Sequence, residues 1–262
     1  RVPDYESGPW RLHRNEKPDN WPREFLDDIF DAVPADLLQR YPNHEEFHRK
    51  LSGFIGVPEK RFVVTSGMDE PIRALLMLCC EPGDLYATPW PGYGMYPVFG
   101  RMLGAEMTEI VYDPCSFMDA TELTARIPGG ARLLFLPNPN QPVENCFDVD
   151  QLREIAVFCR SRDILMAVDE AYHYFGAPSA IPLTEEFDNV LVMRTFSKAL
   201  GAASLRLGYV VGSETGIKPL AAFRLSHESN ALSYHVGSAL LDRFEDLVKP
   251  RIDAVCAGRD RF

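Results

Sequence analysis

The residues best suited to covalent chemistry lie in one short segment, Arg194-Thr-Phe-Ser-Lys198-Ala-Leu-Gly201, followed by Ser204-Leu-Arg206. Lys198 comes directly after an apolar stretch, where its amine can react with an aldehyde, and Ser197 and Arg206 are suited to grip a phosphate. Pyridoxal phosphate carries both groups, so the segment predicts attachment of that cofactor at Lys198. A solvated loop lysine with a surface ion-pair partner would give the same residues, so the prediction needs support from elsewhere in the chain.

A carboxylate and a phenol follow another apolar run, Leu165-Met-Ala-Val-Asp169-Glu-Ala-Tyr172. A carboxylate at the end of an apolar strand is costly unless a positive charge faces it. A protonated pyridine nitrogen is such a partner for Asp169, and Tyr172 is spaced to donate to the cofactor's phenolic oxygen. An aspartate that merely caps the next turn is the structural alternative.

Two turns add candidate contacts. The stretch Thr65-Ser-Gly67-Met68-Asp69 reads as a strand, a glycine turn and a helix start, where free backbone N–H groups and the helix dipole favour an anion. Tyr93, in Pro91-Gly-Tyr-Gly-Met-Tyr, is suited to stack on a flat heteroaromatic ring. Each feature is also common in purely structural roles.

The elements that must position these residues alternate between short apolar runs and amphipathic stretches. Strands are predicted at 61–65, 85–89, 131–137, 164–171, 189–196 and 205–212, and helices at 22–33, at 69–80 and from Asp148 onward. This alternation is typical of an α/β fold in which helical crossovers join parallel strands.

Composition excludes several classes of partner. A formal net charge of -11 argues against nucleic acid and anionic membranes, which select for clustered Lys and Arg. No apolar run approaches the length of a membrane span, so we expect a cytoplasmic protein. The cysteines lack metal-ligand spacing and are expected to be reduced core thiols, with no metal bound: Cys79, Cys80, Cys115, Cys146, Cys159 and Cys256.

The order of the motifs resembles that of fold-type-I pyridoxal-phosphate-dependent aminotransferases, within the histidinol-phosphate aminotransferase-like group. The likeness includes NEKP, RYP, the Ser66–Glu70 turn, PGYGMY, NPNQP, VDEAY, RTFSKAL and RLGY, and so spans most of the chain. The resemblance implies a three-layer αβα sandwich with a mostly parallel central sheet. It also implies that the C-terminal small domain is largely absent.

The resemblance assigns roles residue by residue. Lys198 would form the Schiff base, Asp169 would pair with the pyridine nitrogen, and Tyr172 would contact the phenolic oxygen. Tyr41 would reach the phosphate bound to a neighbouring subunit, which implies a homodimer with shared active sites. The remaining cofactor contacts that it implies are Gly67, Met68, Asp69, Tyr93, Gln141, Ser197 and Arg206.

The implied reaction moves an amino group between an amino acid or a phosphorylated amino alcohol and a 2-oxo acid. Two alternatives stay open: a decarboxylase or lyase resembling threonine-phosphate decarboxylase, and a non-catalytic module that kept the fold. The intact set of Lys198, Asp169, Tyr172 and Arg206 weighs against the second alternative.

The sequence departs from the family pattern at Gln141-Pro-Val-Glu144, where the family has Asn-Pro-Thr-Gly. Gln141 keeps an amide donor but is one methylene longer, and Glu144 is expected to resist the positive φ of the family glycine.

The expected domain organisation has three parts. They are an N-terminal arm (1–35), a large cofactor-binding domain (36–232) and a long helix (233–262), kinked or broken at Pro250, that leads to a truncated small domain. The family's arginine for the substrate carboxylate would then lie beyond Phe262.

Overall fold

The computed structural model describes residues 14–17, 19–113, 116–223 and 229–261. Its strands are β1 (Phe62–Thr65), β2 (Leu85–Trp90), β3 (Glu106–Val111), β4 (Ala131–Pro137), β5 (Leu165–Asp169), β6 (Val190–Thr195) and β7 (Gly208–Val211). Its α-helices are α1 (Arg23–Asp31), α2 (Glu45–Ile55), α3 (Asp69–Cys79), α4 (Met95–Leu103), α5 (Ala120–Arg126), α6 (Val149–Ser161), α7 (Glu214–Phe223), α8 (Ala231–Asp242) and α9 (Lys249–Arg259).

The strands form one sheet in the order β1-β7-β6-β5-β4-β2-β3. Strands β2 to β6 pair in parallel, whereas β7 runs antiparallel to both β1 and β6. The carboxyl ends of β1, β2, β4, β5 and β6 therefore meet the start of β7 at one edge of the sheet. This edge is where ligands of open α/β sheets bind.

Helices cover both faces of the sheet. Leu133 and Phe135 point into an apolar cluster with α3, α4 and α7, and Leu134 and Leu136 point into a second cluster with α1, α2, α5, α6 and α8. The central strands are consequently buried on both faces, which explains their continuous apolar runs. The predicted three-layer sandwich with a mostly parallel sheet is confirmed.

The predicted strands match the observed ones to within three residues at each end: β4 has the predicted bounds, β2 is one residue longer, and the other four are shorter. The strand predicted from 205 begins only at Gly208, because Arg206 adopts a left-handed backbone with φ 51°. Helix α6 begins as predicted, with Asp148 and Gln151 forming a capping box. Strand β3 and helices α2, α4, α5 and α7 were not predicted.

The predicted break at Pro250 is wrong. Helix α8 ends at Asp242, a π-helical turn spans Phe244–Val248, and Pro250 lies in the first turn of α9. Proline is tolerated there because its missing N–H has no intrahelical acceptor.

The expectation of core thiols is only partly correct. Among the described cysteines, all free, Cys159 is buried while Cys146 is exposed. Cys115 lies outside the described residues. In the described part of the chain no helix is long and apolar enough to cross a membrane.

Candidate active site

A cavity of about 710 Å³ opens at the carboxyl edge of the sheet. The loops that follow β1, β2, β4, β5 and β6 converge on it, together with the segment just before β7. Most of the predicted site residues line this cavity: Met68, Asp69, Tyr93, Gln141, Asp169, Tyr172, Ser197, Lys198 and Arg206.

Lys198 projects into the cavity from the loop between β6 and β7. The loop is closed at its base, where the Phe196 N–H donates to the Leu207 carbonyl at 3.0 Å. The Lys198 Nζ donates to the Arg14 carbonyl at 2.9 Å and lies 5.9 Å from the centre of the Tyr172 ring. The amine therefore faces the cavity rather than bulk solvent.

Burial lowers the pKa of Lys198 below its ordinary value, and the positive charge of Arg206 acts in the same direction. The carboxylates of Glu16, Asp169 and Asp69 oppose the shift without reversing it. A lower pKa leaves more of the amine uncharged at neutral pH, which is the form that attacks an aldehyde.

Asp169 ends β5 and is buried at the floor of the cavity. Its Oδ2 accepts a hydrogen bond from the Tyr96 hydroxyl at 2.7 Å, and its Oδ1 accepts one from the Ala171 N–H at 3.0 Å. Burial raises the pKa of this carboxyl group and the neighbouring Glu170 adds to the rise, while both hydrogen bonds and Lys198 oppose it. A cationic partner would favour the ionised form further.

The turn before α3, where the sequence predicts an anion site, borders the cavity beside Arg206. Helix α3 begins at Asp69, two residues after Gly67, whose φ is 73°. A Cβ atom on Gly67 would lie 2.6 Å from Nη2 of Arg206, so the absence of a side chain lets the guanidinium approach the turn. The Ser197 hydroxyl lies nearby in the lining, 3.0 Å from the Thr195 hydroxyl oxygen.

Two phenols stand at the sides of the cavity. The Tyr93 hydroxyl donates to Oδ1 of Asp69 at 2.8 Å, and the same carboxylate lies 3.5 Å from Arg206. The Tyr172 hydroxyl accepts from the Asn15 amide at 2.8 Å. Asn15 belongs to the N-terminal segment, which Trp21 anchors by donating to the Gly201 carbonyl at 3.3 Å.

The turn at Gln141–Glu144, which departs from the family pattern, still contains a residue with a left-handed backbone conformation. Glu144 has φ 63°, so the expectation that it would resist this conformation is wrong, and its N–H donates to the Asn140 carbonyl at 2.7 Å. The Asn140 amide holds the turn to the preceding loop by donating to the Pro91 carbonyl at 2.8 Å. These two hydrogen bonds stabilise the turn and offset the backbone strain of a positive φ at Glu144.

Gln141 is exposed and lines the main cavity and an adjoining one of about 630 Å³ that extends toward α9. Tyr41, in contrast, lies outside both cavities, in a groove between α1, α2 and α8, and is 80% exposed. Its predicted contact with a neighbouring subunit stays a prediction.

Comparison with known proteins decides the family. Residues 11–252 match the family model described as aminotransferase class I and II. The chain belongs to this family. It is therefore a pyridoxal-phosphate-dependent aminotransferase, as the motifs predicted.

Curated relatives share this pattern over nearly the whole chain. A histidinol-phosphate aminotransferase of Thermoanaerobacter sp. strain X514 is 30% identical over 97% of this chain and 72% of its own length. The enzyme of the same name from Pyrococcus furiosus is 28% identical over 96% and 72%. The crystal structure of histidinol-phosphate aminotransferase from Sinorhizobium meliloti with pyridoxal-5'-phosphate superposes with a TM-score of 0.82, at 22% identity, covering 95% of this chain and 68% of that one.

The cavity of this aminotransferase fits the cofactor chemically. A guanidinium, a hydroxyl group and a helix N-terminus stand at one end, a buried carboxylate lies on the floor, and a partly buried amine stands between them. Gly67 supports the fit most directly, because a side chain there would displace the Arg206 guanidinium, the group suited to bind a phosphate.

Sequence reasoning missed Tyr96, although it is the last residue of PGYGMY. It lies three residues after Tyr93, so both phenols fall on the same side of the start of α4. That spacing was the available signal.

Proposed function

We propose that Lys198 is the residue that binds pyridoxal phosphate covalently and moves the proton at the substrate's α-carbon. When bound, the cofactor supplies an aldehyde for amine attachment and a ring that withdraws electrons. The observation that carries the proposal is the Lys198 amine in one cavity with Asp169 and Arg206, its pKa lowered by burial. An uncharged amine accepts a proton and an ammonium returns one, so Lys198 serves as both base and acid.

The other lining residues would hold and orient the cofactor. Asp169 would keep the pyridine nitrogen protonated, because a buried carboxylate is stabilised by a cation beside it. Tyr93 would stack on the ring. Tyr172, whose hydroxyl accepts a hydrogen bond from Asn15, would donate to the phenolic oxygen of the cofactor. The side-chain amide of Gln141 would be a second donor to that oxygen.

The phosphate would be held at the Gly67 turn. The Arg206 guanidinium and the Ser197 hydroxyl would contact it directly, and the N–H groups of Met68 and Asp69 would add the favourable field of a helix N-terminus. The Asp69 carboxylate, which accepts a hydrogen bond from Tyr93 and lies 3.5 Å from Arg206, would share that guanidinium with the phosphate.

We propose an amino acid or a phosphorylated amino alcohol as amino donor and a 2-oxo acid as acceptor. The names of the curated relatives support the phosphorylated donor. The cavity of about 630 Å³ that adjoins Lys198 provides room for the rest of the substrate.

We propose a cytoplasmic homodimer in which Tyr41 completes the partner's phosphate site. Exposure of Tyr41 and Leu38, 80% and 88%, supports a contact with a second copy. Residues 1–35 would form the arm, which lies on the domain through buried Phe25 and Ile29 of α1. Residues 36–232 would form the cofactor-binding domain, and residues 233–262 the path toward a small domain.

Borohydride reduction of the cofactor-loaded protein, followed by peptide mass spectrometry, tests the central assignment. We expect a phosphopyridoxyl group on Lys198 only, and its loss in Lys198→Ala. Lys17→Ala is the matched control, because Lys17 lines the adjoining cavity and should leave the label in place. Label on another residue, or none in saturated protein, would contradict the assignment.

The reaction class is tested with histidinol phosphate and a 2-oxo acid. Amine exchange that requires the oxo acid is the expected result. Release of carbon dioxide from an amino acid without an acceptor would indicate a decarboxylase instead.

A further inference from the structure

We propose that Tyr96 is a positioning residue of the reaction: its buried hydroxyl fixes the orientation and the charge of the Asp169 carboxylate. The inference rests on the proposed role of Asp169 as partner of the ring nitrogen. It starts from one contact, the hydrogen bond of 2.7 Å from the Tyr96 hydroxyl to Oδ2.

The Tyr96 ring is held firmly enough to position another group. It is fully buried in the first turn of α4 and stacks on Phe135, with ring centres 4.8 Å apart and planes 13° from parallel. The Tyr86 hydroxyl donates to the backbone carbonyl of Tyr96 at 2.9 Å, whereas the Tyr96 ring itself is held by its burial and by its stacking on Phe135. Among the described residues Asp169 is the group to which the Tyr96 hydroxyl donates.

The carboxylate is consequently held at both oxygens. Oδ1 accepts from the Ala171 N–H at 3.0 Å while Oδ2 accepts from Tyr96. These two donors, one from α4 and one from the loop after β5, restrict rotation of the carboxylate plane, and each oxygen of this cavity-lining group can still accept a further hydrogen bond.

The surroundings of Asp169 make this donor necessary. Burial and the Glu170 charge raise the pKa of Asp169, whereas Tyr96, Ala171 and Lys198 lower it. Glu170 is itself paired with Arg194 at 2.8 Å, and the phenols of Tyr93 and Tyr172 face the same carboxylate. Of the two hydrogen bonds that oppose the rise, Tyr96 provides the one from a side chain.

Tyr96 remains a donor throughout the working pH range. Burial and the charge of Asp169 raise its pKa well above the ordinary value of a phenol. The hydroxyl therefore stays protonated, and removal of its bond, rather than its titration, is the informative change.

The test compares Tyr96→Phe with Tyr86→Phe in the cofactor-loaded enzyme. Tyr86 is the matched control, because it is also fully buried, packs edge-on against Phe135, and donates to a backbone carbonyl instead of to Asp169. Each variant loses one buried hydroxyl, so general structural damage would affect both alike.

We expect Tyr96→Phe to lower kcat about ten- to a hundredfold with a small change in KM. The acid limb of its pH profile should move upward by about one unit, because Asp169 loses a bond that favours ionisation. Tyr86→Phe should leave kcat and the acid limb near the wild-type values. Equal losses in both variants, with an unmoved acid limb, would overturn the proposal.

The cofactor-free protein provides a second readout. A carboxyl group whose pKa is raised by folding costs stability as the pH rises through the interval between its unfolded and folded values. The loss of unfolding free energy in Tyr96→Phe should therefore be largest at neutral pH and shrink as Asp169 becomes protonated. In Tyr86→Phe the loss should not change with pH.

Combining Tyr96→Phe with Asp169→Asn distinguishes the proposed role of Tyr96 from the proposed role of Asp169. With the charge removed, Tyr96→Phe should cost no more stability than Tyr86→Phe, and an undiminished cost would overturn the inference. If Asp169→Asn alone leaves kcat unchanged, the proposed role of Asp169 fails. If Asp169→Asn lowers kcat but Tyr96→Phe behaves like its control, only the role of Tyr96 fails.

Discussion

The floor of the cavity and its mouth are built in different ways. Asp169 and Tyr96, on the floor, belong to a central strand and a helix, and both side chains are buried. Tyr172 and Gln141, at the mouth, belong to loops, and Asn15 of the N-terminal segment donates to the Tyr172 hydroxyl. The floor is therefore fixed by the core, whereas the mouth depends on weaker contacts that solvent can replace.

This difference matches the two tasks of the site. A buried carboxylate is costly unless it meets a cation, so the floor would favour the charged ring that we propose it binds in every catalytic cycle. The mouth must admit and release different molecules, which loops allow. Changes at the floor should therefore affect the chemistry, and changes at the mouth should affect binding.

Asp169→Asn should have the largest effect. Loss of the charge leaves the ring nitrogen without its anionic partner, and we expect kcat/KM to fall about 10²- to 10⁴-fold. Steady-state kinetics of the loaded enzyme checks this, with Asp150→Asn, on the surface of α6, as the control. A loss below tenfold would show that the floor does not govern the chemistry.

Gly67→Ala should have the next largest effect. The left-handed backbone would cost about 1–2 kcal/mol of unfolding free energy, and the displaced guanidinium of Arg206 should weaken cofactor binding about tenfold. Gly53→Ala is the control, because no atom lies within 4 Å of its added Cβ and alanine favours the helix by about 0.5–1 kcal/mol. Titration of the cofactor and chemical denaturation measure both quantities, and unchanged affinity would contradict the cradle.

Asn15→Ala should have a smaller effect at the mouth. The Tyr172 hydroxyl would lose one hydrogen bond worth about 0.5–1.5 kcal/mol, so substrate KM should rise about two- to tenfold. Asn20→Ala serves as comparison, because its exposed side chain belongs to the same segment but does not line the cavity. A fall in kcat larger than the rise in KM would mean that the N-terminal segment belongs functionally with the floor.

Gln141→Asn should have the smallest effect. The side chain makes no hydrogen bond within the described residues, so cofactor affinity should change by less than about threefold. A comparison of several amino donors should reveal any shift in preference. A tenfold change in cofactor affinity would show that Gln141 already contacts the ring.

The sequence predicted the floor better than the mouth, for a physical reason. Asp169 and Lys198 follow apolar strands, and parallel strands bring their carboxyl ends to one edge whatever the loops do. Tyr96 was missed because a buried tyrosine in a helix looks like packing until its hydroxyl partner is known. The backbone of Glu144 could not be predicted either, since local contacts of Asn140 overcome its intrinsic preference.

The small loop closed by the bond between Phe196 and Leu207 carries Ser197 and Lys198 near its start and Arg206 near its end. The residue proposed to attach the cofactor and the residues proposed to bind its phosphate are thus carried by one continuous piece of backbone. A one-residue insertion between Lys198 and Arg206 would therefore alter cofactor attachment and phosphate binding together. In protein engineering, the whole segment from Phe196 to Leu207 should therefore be exchanged between relatives as one unit. Gly67 should be kept with it, because the absence of a side chain there makes room for Arg206.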